Sequence, residues 1–276
     1  MRKIILILLC LPLLIFSQEE RKYTKTMSVS QFAKELKQAA ESGIDYYLED
    51  CKITYNPVRD KQYVIDNLNV TKFEGDALIR DLQFSDSSYV SITNCQFGDV
   101  NELPRGYQTT LQFFNCSFGE IRIMNVNVGM IKVDSISAKK AYFTCDTEFK
   151  PYSIRIEHSR IIELAASSHI KSIRSGNLFG TGVTAIDILK NTIRNTRVSG
   201  FNRLNFRDNR CHALLVGGLY TTDHQINTGY ILNNTFSGEI NLERLLIYKN
   251  NIWKATNYNG IYVSNVEIQK LSIAKN

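Results

Sequence analysis

The chain is short of proline, of metal-ligand spacings and of apolar runs. Four prolines in 276 residues leave little to interrupt strand ladders. There is no Cys-x-x-Cys, no His-x-x-x-His and no other metal spacing, so neither a metal nor a cofactor is expected. There is no Asp-Asp pair, no Gly-His motif and no Arg-x-Lys in a catalytic setting. After Phe16 no stretch is long and apolar enough to cross a membrane.

The first apolar stretch is different. Arg2 and Lys3 precede Ile4 to Phe16, followed by Ser17 and Gln18. A basic start, a short apolar core and a small residue describe a secretory signal peptide over 1–17, so the mature protein is expected to be exported, to a periplasmic, cell-surface or extracellular destination. Lipidation at Cys10 is disfavoured, because Leu9 stands where a small residue is needed. Loss of Arg2 and Lys3 takes the formal charge from +6 to +4.

What the chain has in abundance is a five-residue beat. Apolar or small residues come in pairs with one position between them: Leu111/Phe113, Cys116/Phe118, Ile121/Ile123, Val126/Val128, Ile131/Val133, Ile136/Ala138. A helix repeats at 3.6 and a long strand at 2, so neither accounts for it. A short strand with two inward side chains, then a two-residue corner, repeated, does. The beat returns at Val90/Ile92 and Cys95/Phe97, over 154–166, 186–198, 204–216 and 240–252, and again to Ile273. The expected fold is all-β, a right-handed parallel β-helix with four faces per coil of about twenty residues. The strings 92–98 and 113–119 sit 21 positions apart, as neighbouring coils should.

Cys95-Gln-Phe97 and Cys116-Ser-Phe118 resemble the repeat of pentapeptide-repeat proteins, with a small residue, a polar residue and then Phe or Leu. Strings such as Leu-Asn-Asn-Thr-Phe (232–236) and Leu-Lys-Asn-Thr-Ile (189–193) are similar to the β-helix of pectate-lyase-like proteins. The resemblance covers about two thirds of the mature chain. It departs from the pentapeptide pattern where Ile, Val or Asn holds the first inward place, which implies a wider or less regular cross-section. Some pentapeptide-repeat proteins act inside cells as DNA mimics, which needs a strongly negative surface. A basic, exported chain does not fit that role, and no nucleic-acid partner is expected.

Residues 18–27 read as a flexible lead-in, and 28–276 as one capped β-helix domain. Ser28 and Gln31 form a capping-box pattern, Val29, Phe32, Ala33, Leu36 and Ala40 line one face, and Gly43 suits the C-terminal cap, so a helix is expected over 28–43. Such a helix would close the first coil, with Ile44 to Ile53 as the first strand. Nothing comparable follows Ile273. Self-association or a partner contact through that end is expected, or a chain that naturally continues.

Five cysteines remain after cleavage. Cys95 and Cys116 are expected to stack on adjacent coils as buried thiols. Asn191, Asn209, Asn234 and Asn250 each take a first inward place, where buried amides must be bonded, and an asparagine ladder is the expected result.

Chemistry is therefore sought on outward positions and insertions. The beat breaks at 99–110, 144–153, 172–183, 217–228 and 253–260. Tyr107, Tyr220, Trp253 and Tyr258 lie in these breaks, with Tyr262 just beyond, and aromatic faces with polar tips suit sugar rings. The competing reading packs these rings under their own loops. Lys190, Arg194, Arg197, Arg203, Arg207, Arg210 and Arg160 form a cationic series, either a basic stripe for an acidic polysaccharide or envelope surface, or an ordinary solvated face. The candidate binding residues are Tyr220, Trp253, Tyr258, Arg207 and Arg210. No catalytic residue is assigned. The expected role is a non-catalytic structural or glycan-binding module, with a glycan or an envelope protein as partner. The alternative is a polysaccharide-active lyase or glycoside hydrolase, for which Arg207, Arg210, His212 and His224 would be the candidates. A leucine-rich repeat fits Leu242 to Asn250 but fails on the spacing of the next rung.

Overall fold

The structure is a computed structural model that describes residues 23–56, 58–63, 77–98, 110–146, 153–169, 185–199, 201, 203–217, 228–243, 260–264 and 270–273. Three all-parallel sheets stack as a β-helix, with one helix near the N-terminus. The first sheet is short: Lys25–Ser28, Cys51–Thr54 and Gln96–Phe97. The second runs from Tyr46–Glu49 through Tyr89–Thr93, Ser117–Met124, Ser137–Asp146, Arg160–His169, Thr192–Ser199 and Arg210–Gly217 to Glu239–Glu243 and Lys270–Ile273. The third contains Ala77–Arg80, Thr110–Phe114, Met130–Asp134, Ser153–Glu157, Ala185–Leu189, Arg203–Arg207, Thr228–Leu232 and Gly260–Ser264.

The five-residue beat is the geometry of one turn of this tube. Leu111 pairs with Ile131, twenty residues on. Between them the chain leaves the third sheet, crosses two faces of the bent second sheet and passes the first-sheet side at Asn127, which bridges Gln96. Elsewhere the coils are unequal. Ile186 pairs with Leu204 after eighteen residues, and Ile154 with Ile186 after thirty-two. Insertions lengthen a coil without disturbing the register of its strands.

Seven of the eight strands of the third sheet are each followed by one residue of positive φ. These are Asp81, Asn115, Ser135, His158, Lys190, Asp208 and Asn233, with φ between 48 and 58°. This left-handed conformation costs a residue with a Cβ about 1–2 kcal/mol, less for Asn and Asp. It is held because the corner N–H donates to the strand end of the next coil: Asn115 to Asp134 O at 3.1 Å, Ser135 to Glu157 O at 3.0 Å, Lys190 to Arg207 O at 3.0 Å. The residue after each corner turns inward. A single column results: Leu82, Cys116, Ile136, Ser159, Asn191, Asn209 and Asn234, all buried.

The polar half of that column is a hydrogen-bonded ladder. Asn191 donates from its backbone and its Nδ2 to Asn209 Oδ1, at 2.9 and 3.1 Å. Asn209 does the same to Asn234 Oδ1, at 2.8 and 3.1 Å. The remaining amide protons go to strand carbonyls, Asn191 to Ile156 O at 3.0 Å and Asn209 to Ile188 O at 2.9 Å. Ser159 N donates to Asn191 Oδ1 at 2.8 Å, so the ladder ends on a hydroxyl before the column becomes apolar. Asn250 lies outside the described residues.

Cys95 and Cys116 do not stack on each other. Cys116 follows a third-sheet corner, between Leu82 and Ile136, as the bonds from Ser117 N to Leu82 O and from Ser137 N to Cys116 O show. Cys95 follows a different corner, that of Asn94 after a second-sheet strand, and its column contains Cys51 and Val126. The 21-residue spacing misled because Val90 pairs with Ile121, thirty-one residues on. The break at 99–110 sits inside that coil.

The helix spans Val29–Ser42, with Ser28 Oγ accepting from Gln31 N at 3.1 Å and Gly43 in the left-handed conformation at φ 67°. Gln31 does not complete a capping box, because its amide reaches forward to Glu35 at 3.0 Å. Val29, Phe32, Leu36 and Ala39 are buried, and the Phe32 ring meets Phe97 edge-on at 5.4 Å. The helix thus covers the end of the core. Two expectations need correction. Lys25–Ser28, the end of the supposed flexible lead-in, is a strand paired with Cys51–Thr54. The expected single strand over 44–53 is two, Tyr46–Glu49 and Cys51–Thr54, turned by Asp50 at φ 47°.

Replacing Asn209 by Ala strips the acceptor from two Asn191 donors and removes the Nδ2 donor from Asn234 Oδ1 and Ile188 O. The expected loss is about 3 kcal/mol in urea unfolding, from more than one orphaned buried group. Asp208→Asn, at the neighbouring corner, should change stability by less than about 0.5 kcal/mol.

Candidate functional site

Along the second sheet, the five strands from Ser117–Met124 to Arg210–Gly217 bend shortly after the corner column. At the bend Gly119, Lys139, Ile162, Arg194 and His212 fall out of the ladder, while the residues on either side stay paired. A groove of about 670 Å³ runs across the coils here. Its two walls are columns set by the register. One column reads Ser117, Ser137, Arg160, Thr192, Arg210, Thr235. The other carries Lys139, Ile162, Arg194, His212 and Ser237. With coils about 4.8 Å apart, five steps make a groove of about 24 Å.

Glycine closes both ends. A Cβ on Gly119 would lie 2.5 Å from Asp86 O and 2.6 Å from Ser88 O, so the 85–88 turn can press against the strand only there. A Cβ on Gly238 would lie 2.6 Å from His212 O. Asp86 is the carboxylate lining the groove, and it pairs with Lys139 at 3.2 Å. Among the described residues, Arg160, Arg194 and Arg210 have no carboxylate within ion-pair distance. The groove is therefore a positive, hydroxyl-rich channel. The next outward column, Glu120, Lys140 and Glu163, is largely neutralised near its start, where Glu120 pairs with Arg122 at 2.6 Å and Lys140 at 3.9 Å.

The cationic series of the sequence is split by the fold. Arg160, Arg194 and Arg210 belong to the groove. Arg203 and Arg207 lie on the third sheet, around a corner from Arg210. There Arg207 places its guanidinium 5.3 Å from the Tyr230 ring centre. The reason is local: Asp208 at φ 56° sits between Arg207 and Arg210 and turns the chain. Arg197 is on the second sheet past the bend, and Lys190 is itself a corner. Tyr107, Tyr220, His224, Trp253 and Tyr258 lie outside the described residues.

Sequence reasoning missed a second run of rings. Tyr47 is well exposed and lies 5.2 Å from Tyr89. The Arg122 guanidinium sits between Tyr89 and Tyr142, at 5.3 and 5.1 Å. These residues are 20 to 42 positions apart, and only the inter-coil register brings them together.

Catalytic chemistry has few starting points here. Cys211 lines the groove wall, but burial pushes its thiol up to about 11 despite a contact with the Thr196 hydroxyl. Burial likewise raises Cys95 to about 12, Cys116 to about 11 and Cys145 to about 12. His212 Nδ1 is 3.0 Å from Ser237 Oγ. Among the described residues no carboxylate bonds that imidazole.

The cluster of Asp134, Glu157 and His158 brings three ligand-type atoms within 4.8 Å. It is already filled by its own cations and donors. Lys132 reaches Asp134 at 3.4 Å and Glu157 at 3.9 Å, Arg155 holds Glu157 at 2.6 Å, and His158 meets Asp134 at 3.1 Å. Burial alone would raise the Asp134 carboxyl, but the bonds from His158, Ser135 and Lys132 outweigh it and hold it below its ordinary value. A metal would have to displace these partners.

Two outcomes follow. Asp134 stabilises the folded state above the carboxylate range, and this contribution fades as pH falls below about 4 toward the lowered folded-state value. Asp134→Asn should therefore destabilise at pH 7, with the gap to the parent narrowing at pH 3 when urea midpoints are compared. The five buried free thiols should resist iodoacetamide at pH 8 in the folded protein and react in urea, as counted by mass spectrometry. Comparison with known proteins finds no matching family, no similar curated protein and no similar solved structure.

Proposed function

We propose that this chain is an exported, non-catalytic β-helix that holds an extended acidic glycan along the groove of the second sheet. The observation that carries this reading is the axial column Arg160, Thr192, Arg210, Thr235, in which guanidinium groups without an ion pair among the described residues alternate with hydroxyls at one residue per coil, with Arg194 on the facing wall. A repeating ladder of donors suits a repeating polymer. Guanidinium groups take carboxylate or sulfate groups in fork geometry. Serine and threonine hydroxyls both donate and accept, as sugar hydroxyls do. The open groove gives access along its length, and its positive field draws in polyanions. Export, read from the N-terminal segment, would place the protein where such polymers occur. In this role the tube is a rigid ruler rather than an enzyme.

A polysaccharide-active enzyme is the rival, and the contact between His212 and Ser237 is the observation on its side. One experiment separates the two. The purified protein is incubated with alginate, polygalacturonate, a sulfated glycan and a neutral glucan, and both retention and products are measured. Retention of at least one acidic polymer without cleavage is expected. It should weaken about tenfold in the combined Arg160→Gln, Arg194→Gln, Arg210→Gln variant, and weaken with added salt. New reducing ends or unsaturated products would establish the enzyme instead. No retention of any acidic polymer would reject the groove as a glycan site.

A further inference from the structure

The third sheet carries a separate pocket that the groove reading does not use. It has a volume of about 280 Å³ and is lined by Arg155, Asp187, Leu189, Arg203, Asn205, Arg207 and Tyr230. Register builds it: Arg155, Asp187, Asn205 and Tyr230 are successive members of one outward column, with Arg207 and Arg203 flanking them. Four buried side-chain polar atoms lack a hydrogen-bond partner among the described residues, and three of them meet here. They are Arg155 Nε, Asn205 Oδ1 and Arg207 Nε; the fourth, the Tyr46 hydroxyl, lies elsewhere. Buried polar atoms are almost always paired, so three orphans around one cavity point to something that pairs them.

Their chemistry describes it. The two Nε–H groups are donors and require acceptors. Asn205 Oδ1 is an acceptor and requires a donor, as does the Asp187 carboxylate beside it. The charges nearly balance: three guanidinium groups line the pocket with Asp187, and Arg155 also holds Glu157, outside the lining, at 2.6 Å. One positive charge is left over. Leu189 and the Tyr230 ring add an apolar wall. The volume is at the small end for ligand sites and suits a molecule the size of one sugar or amino acid.

We infer that this pocket binds a small monocarboxylate whose acid group lies beside hydrogen-bond donors, either sugar hydroxyls or an ammonium group. The guanidinium forks take the carboxylate, while Asn205 and Asp187 take the donors. The inference stands independently of the groove, whose residues are on another sheet.

Calorimetry on the full chain tests it, with D-glucuronate for the hydroxyl form, L-serine for the ammonium form, and acetate and D-glucose as partial probes. Saturable one-to-one binding of glucuronate or serine is expected, at least tenfold tighter than acetate or glucose. Which of the two binds identifies the donor type. Arg203→Gln removes a cation from an exposed position, and Asn205→Asp adds a second carboxylate to the pocket; each should weaken binding at least tenfold. A matching rise in melting temperature with ligand, absent in the variants, is the second readout. Binding of neither full probe tighter than about 10 mM, equal binding of acetate, or binding unchanged in both variants would overturn the inference. None of these outcomes bears on retention of polymers by the groove.

Discussion

The structure depends on one backbone event repeated along the chain: a single left-handed residue at the end of a short strand, whose N–H is captured by the coil above. Alone, such a residue is unfavourable. In the stack it is paid for by a bond that also sets the spacing of neighbouring coils. The corner decides which residue turns inward next, and thus which column it joins. Core, ladder, groove and pocket are all consequences of that placement. Leu111, Ile131, Ile154, Ile186 and Leu204 stack as one apolar column because five successive corners repeat.

Much of this was legible in the chain because it is local. Alternation within a five-residue strand, a corner residue and a helix cap each need only a few neighbours. Ser28 and Gly43 marked the helix ends for that reason. What was not legible is which coil lies on which. That depends on insertion length, and the break at 99–110 moved Cys116 away from Cys95. It also depends on which side of a corner a residue falls. Arg207 and Arg210 are three positions apart yet face different sheets, because Asp208 stands between them. The pairing of Arg122 with Tyr89 and Tyr142, and the placing of Asn205 and Arg155 around one pocket, are likewise register effects with no signature in spacing.

The two candidate sites use opposite electrostatic solutions on one scaffold. The third sheet gathers charges of both signs into a closed network, so Lys132, Asp134, Arg155, Glu157 and His158 satisfy one another. The pocket beside it is where that network leaves atoms over. The groove keeps Arg160 and Arg210 on one wall with the Thr192 hydroxyl between them, and Arg194 on the other. Screening by salt acts on the second arrangement far more than on the first, because its cations face solvent rather than each other.

The amide column has a further consequence. Short, similar strands in a tube have little to distinguish one stacking partner from another, and a coil displaced by one level would still bury Ile on Leu. Asn209 cannot be displaced in this way. It needs an amide above to donate and an amide below to accept, and among the described residues only Asn191 and Asn234 supply them. Set beside Ile136 instead, Asn209 would lose the side-chain Nδ2 that now donates to its Oδ1. The three amides therefore act as an address that tells each winding of the chain where it belongs.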